Sequence, residues 1–166
     1  MPIWYYFLAV VISAIVYSLV QTEGKRKALW ALISGYLFLI VSSTILNRSG
    51  SDQFEYNLKP FWTYYEIAKG TWRAKRFLEE LLLNIVMLIP IGVIIPCLVK
   101  RQKLIITIAS AAGISLLIEL LQLVTKRGLF EFDDIIHNTL GAIIGYGVYK
   151  LVCVLERGWK NKRTIN

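Results

Sequence analysis

The sequence predicts an all-α membrane protein, a bundle of about five transmembrane helices with a long aromatic-basic loop between the second and third. Three observations lead there. Hydrophobic residues make up 56% of the 166 residues and mean hydropathy is +0.55, too apolar for an ordinary water-soluble domain. These residues gather into long runs separated by polar breaks. The cations behind a formal net charge of +8 lie almost entirely in those breaks, where anionic lipid headgroups would meet them. Nucleic acid would attract the same charge, but the cations line no soluble face, so it is not an expected partner. The length suits one domain.

The first run, Ile3 to Val20, is long enough at about 1.5 Å per residue to cross a bilayer core. No basic segment precedes it and no small-residue cleavage site follows, so a retained span is expected rather than a signal peptide. Trp4, Tyr5 and Tyr6 suit an interfacial aromatic belt. Ala28 to Leu46 is the second span, and residues 1–46 form a two-helix N-terminal unit.

Residues 47–78 form the one long break, expected as an outward-facing interfacial loop. It opens on the turn-like Asn47-Arg48-Ser49-Gly50. Beyond Pro60 it interleaves Phe61, Trp62, Tyr64, Tyr65, Trp72 and Phe77 with Lys69, Arg73, Lys75 and Arg76. Such a segment can anchor at the interface or help to hold a phosphate-bearing lipid-linked substrate. Residues 79–155 then carry a three-helix core: Glu79 to Val99, Leu104 to Val124 and Ile135 to Leu155. Pro90 and Gly92 imply a bend in the first of these. Residues 156–166 form a basic tail.

Orientation follows from the positive-inside rule. Ten Lys and Arg fall in the first basic loop, the Lys100–Lys103 turn and the tail, against eight on the other side, six of them in the long loop. The N-terminus is therefore expected outside and the C-terminus in the cytoplasm.

Polar residues recur inside two of the apolar runs. Ser115, Glu119 and Gln122 fall on one helical face, and so do Asp134, Asn138, Gly141 and Gly145. Ionisable groups in spans are costly and usually face a cavity or one another. Glu119 and Asp134 are the candidates for acid, base or polar recognition groups. Arg127 could pair with Asp133 or Asp134, or bind a phosphate or carboxylate through its planar fork. Gln122 and Asn138 are expected as hydrogen-bond partners of Glu119, Asn84 as helix–helix glue or part of a polar cavity, and the glycines as a packing face. The full candidate binding set is Asn84, Glu119, Gln122, Arg127, Asp133, Asp134 and Asn138. His137 is expected against a neighbouring helix or at the interface, and one histidine among acids makes no metal set. Cys97 and Cys153 read as small apolar residues. No glycine-rich phosphate loop and no recognisable nucleophile motif is present, so no cofactor is expected and no catalytic residue is assigned.

These residues occur in an ordered series that resembles the VanZ-like membrane proteins. It runs from Asn57-Leu58-Lys59-Pro60-Phe61 through Asn84 and Pro90-Ile91-Gly92 to Ser115-Leu116-Leu117-Ile118-Glu119-Leu120-Leu121-Gln122. It continues with Arg127, Phe132-Asp133-Asp134, Asn138-Thr139-x-Gly141 and Gly145. The resemblance spans Asn57 to Gly147 and leaves out the first two runs; His137, where apolar residues are usual, and Asp133, at a variable position, depart from its commonest pattern. It implies a protein of the bacterial cell membrane, since founding members confer low-level resistance to teicoplanin, a lipoglycopeptide. Expected partners are membrane lipids or lipid-linked cell-wall precursors, and the lipoglycopeptide itself. The expected role is a non-enzymatic modulator of lipoglycopeptide action that interacts with an envelope lipid, a precursor or the antibiotic at the membrane surface; the alternatives are an intramembrane enzyme acting on a lipid-linked envelope precursor and an assembly partner of another membrane complex. The oligomeric state stays open.

Overall fold

The computed structural model describes residues 24–46 and 48–164. The expected first span, Ile3 to Val20, lies outside the described residues. Within them, α1 (Gly24–Val41) continues as a π-helical turn, Ser42–Leu46. Strand β1 (Glu55–Asn57) and the short helix α2 (Trp62–Ala68) follow. Then come α3 (Ala74–Leu98), α4 (Lys103–Thr125), strand β2 (Leu129–Glu131) and α5 (Phe132–Thr164).

Among the described residues, three helices are long and apolar enough to cross a membrane: α3, α4 and the Phe132–Gly158 part of α5. The second expected span corresponds to a shorter apolar helical stretch, Leu29–Ile45. Leu116, Leu117 and Leu120 of α4 and Leu151, Val154 and Leu155 of α5 stay exposed, as a bilayer-facing surface requires.

The tightest seam joins α3 to α5, and it is built on glycine. A methyl group at Gly141 would overlap the Ile85 carbonyl oxygen, and one at Gly92 would lie 2.7 Å from the Ala142 carbonyl carbon. A methyl at Gly145 would come within 3.0 Å of Gly92 Cα. The small residues expected as a packing face therefore bring two backbones together, as small-xxx-small faces do in membranes. Helix α3 runs on through Pro90 and Pro96, both buried in the bundle. Proline removes a backbone donor, and near the first of them the Tyr36 hydroxyl donates to the Met87 carbonyl at 2.6 Å.

The expected long loop is partly ordered structure. Helix α3 begins at Ala74, inside the segment expected as loop, because Lys75–Glu79 and Arg76–Glu80 ion pairs at i,i+4 extend it. Strands β1 and β2 pair in parallel, Glu55 with Leu129, Tyr56 with Phe130 and Asn57 with Glu131. This ties the 47–78 segment to the α4–α5 connection. Lys126 strengthens the tie: its carbonyl accepts from Ser51 N–H at 2.7 Å and its ammonium donates to the Asp52 carbonyl at 3.0 Å.

Candidate functional site

The sequence motif around Pro60 and the acids at the start of α5 meet in space. Asn57 Oδ1 accepts the Lys59 N–H at 3.2 Å and closes a turn. Pro60 leads into Phe61, whose φ of 61° and ψ of 18° place it in the left-handed region. For a bulky residue that costs about 1–2 kcal/mol. Asp133 holds it there, accepting the Phe61 N–H at 2.6 Å and the Thr63 N–H at 2.9 Å. The carboxylate thus satisfies two amides at the start of α2, which no side chain of α2 caps. Beside it, Tyr64 Oη and His137 Nε2 hydrogen-bond at 3.0 Å. His137 is fully buried, as expected for a histidine packed against its neighbours.

The polar face of α4 performs similar work. Ser115, Glu119 and Gln122 are all buried on one face, and each binds a different element. Ser115 Oγ accepts from Asn138 Nδ2 of α5 at 2.8 Å. Glu119 Oε2 accepts the Glu131 N–H of β2 at 2.9 Å. Gln122 Nε2 reaches the Thr44 carbonyl of the π-helical turn at 3.5 Å. The expectation that Gln122 and Asn138 are partners of Glu119 is therefore corrected: a β-strand amide takes that place, because the α4–α5 connection folds back over its own helix.

These anchors frame a cleft of about 990 Å³ at the end of the bundle that carries β1, β2 and α2. Of the candidate residues, Asn84, Arg127 and Asp134 line it. Glu119, Gln122, Asp133 and Asn138 are not among its lining residues. The aromatic-basic segment contributes Trp62, Trp72, Arg73, Arg76 and Phe77, and Arg73 lies 4.8 Å from the Trp72 ring centre. Arg48, Glu80, Lys126 and Glu131 complete most of the charged lining. Sequence reasoning did not single out Arg48, Glu80 or Glu131 as site residues. Arg48 sits in a turn-like tetrapeptide and Glu131 in a three-residue strand, neither of which carries a helical period. Gly128 leaves room for the guanidinium, since a methyl there would lie 2.9 Å from Arg48 Nη1.

The charges are unevenly distributed. Glu131 feels Glu80 and Asp133 as like charges and Arg48 as the opposing one. Its pKa is raised, first by burial and then by those acids, with the Asn57 side-chain hydrogen bond and Arg48 opposing. Asp134 lines the same cleft. Of the two alternatives for Arg127, the pairing with Asp133 or Asp134 does not form: Asp133 is committed to α2, and no ion pair of Arg127 occurs among the described residues.

The VanZ/LLP1 family profile matches residues 4–153. The chain belongs to the VanZ/LLP1 family. The match extends the expected Asn57–Gly147 resemblance over the first two apolar runs as well. With its membrane-length helices, this is a VanZ-like membrane protein. No curated protein and no solved structure matches the chain.

Proposed function

We propose that this protein is a non-enzymatic binder of a phosphate-bearing envelope lipid or lipid-linked precursor. It takes the headgroup in the cleft on the outer side of the bacterial membrane, and in doing so alters how lipoglycopeptides such as teicoplanin reach their target. One observation carries the reading: a cleft of about 990 Å³ at the end of membrane-length helices, lined by Arg48, Arg73 and Arg127 together with Trp62 and Trp72. Arginine forks suit phosphate oxygens, and the aromatic rings suit the interfacial depth at which a headgroup sits. The volume is at the upper end for small-molecule sites. Glu119 supports binding over chemistry, because it accepts a β2 amide and is not among the lining residues.

The test is teicoplanin susceptibility of a sensitive host expressing wild type, Arg48→Gln/Arg127→Gln or Glu119→Gln at matched membrane levels. Protection is expected from wild type and from Glu119→Gln, whose amide oxygen still accepts the β2 N–H, and is expected to be lost in the double variant. Protection that survives in the double variant would overturn the role of the cleft. Loss in Glu119→Gln with normal folding would favour an enzyme acting on the precursor.

A further inference from the structure

We propose that the headgroup bound in this cleft carries a primary ammonium as well as a phosphate, as aminophospholipids do, with the ammonium at Asp134 and the phosphate at Arg48 and Arg127. The inference rests on the lipid-binding reading and narrows it. It starts from the two kinds of charge that line the cleft. Arg48, Arg127 and Asp134 all line it, and none of the three forms an ion pair among the described residues. A ligand in the cleft therefore meets both unpaired arginine and an unpaired carboxylate.

The carboxylates of the lining differ in their partners. Glu80 accepts from Arg76 Nε at 2.9 Å, and Glu131 accepts a hydrogen bond from Asn57. Asp134 lines the cleft, is largely withdrawn from solvent, and has no hydrogen bond or ion pair among the described residues. A carboxylate so placed is stabilised by an incoming cation that also donates hydrogen bonds. An ammonium suits it better than a divalent metal. The acids are spread along the wall, and among the described residues no three His, Cys, Asp or Glu side chains converge as a metal set. A hard divalent ion asks for several oxygen ligands at once, whereas an ammonium is held by one carboxylate and neighbouring acceptors.

The experiment uses the full chain in detergent micelles and follows tryptophan fluorescence, which Trp62 and Trp72 make sensitive to the cleft. Four probes are titrated: short-chain phosphatidylethanolamine, its N-acetylated form, short-chain phosphatidylglycerol, and free phosphoethanolamine. Wild type is expected to bind the ethanolamine lipid about tenfold more tightly than the two lipids lacking an ammonium. Asp134→Asn should erase that preference, with far-UV circular dichroism and thermal unfolding matching wild type as the check that the variant is folded. Arg48→Gln/Arg127→Gln should weaken all three lipids alike. Equal affinity for all three lipids in wild type would overturn the ammonium while leaving phosphate binding intact. Binding of no lipid would overturn the underlying reading as well. Free phosphoethanolamine binding as tightly as the lipid would overturn the assignment to a lipid.

Discussion

Asp133→Asn isolates the contact that docks α2 on the bundle. In the wild type one carboxylate accepts the Phe61 N–H at 2.6 Å and the Thr63 N–H at 2.9 Å, and Asp133 itself is 2% exposed. An asparagine offers one acceptor oxygen and turns an amide group towards the second donor. The variant therefore loses one charge-assisted hydrogen bond and leaves a buried N–H facing an N–H, a loss of about 2 kcal/mol. Phe61 adds to the effect, because its left-handed backbone is held by the bond that weakens. A loss of that size shifts the docking equilibrium of α2 about 30-fold. Hydrogen exchange by mass spectrometry on protein in nanodiscs reads it directly. Peptides covering residues 61–68 should lose protection by about that factor, while peptides from α3 and α5 keep theirs. Unchanged protection of 61–68 in the variant would refute the reasoning, and so would a uniform loss across the whole bundle.

Other consequences follow from the same geometry. Gly141→Ala drives a methyl into the Ile85 carbonyl, backbone against backbone, so the α3–α5 seam must part; a loss of about 1–3 kcal/mol is expected in detergent unfolding. Gly113→Ala, where a methyl meets nothing, should be neutral or stabilising. Glu119→Ala leaves the Glu131 amide without its acceptor at a part-buried position and should cost about 1–3 kcal/mol. Glu119→Gln should cost much less, with thermal unfolding as the measure of both. Glu131 has a raised pKa in the fold, so its ionised form is penalised there. Its favourable contribution is complete below the ordinary carboxylate value and declines as pH rises through the folded one. Stability of wild type relative to Glu131→Gln should therefore fall as pH rises above the ordinary carboxylate range, and a constant difference would contradict the burial of this group.

The architecture was legible where apolar periodicity carried it. The α3, α4 and α5 runs, the buried face of Ser115, Glu119 and Gln122, and the glycine seam all follow from helical spacing in an apolar chain. The start of α3 was not, because Lys75, Arg76, Glu79 and Glu80 read as a polar break by hydropathy and extend the helix through i,i+4 pairs. The β1–β2 pair escaped as well. Each strand has three residues, too few for an alternating pattern, and they meet across a long sequence separation. For the same reason spacing found Glu119 as a buried carboxylate but could not find its partner, an amide that arrives through the fold of the connection. Asp133 and the Asn57–Phe61 segment were both noticed, yet only their contact shows that one holds the other.

The most direct measurement of the central claim is native mass spectrometry of the protein released from membranes in mild detergent. Wild type should retain a phosphate-bearing lipid, and Arg48→Gln/Arg127→Gln should lose it at matched detergent and matched folding. Equal lipid occupancy in the two proteins, or a wild type that carries none, would contradict the assignment of the cleft as a headgroup site.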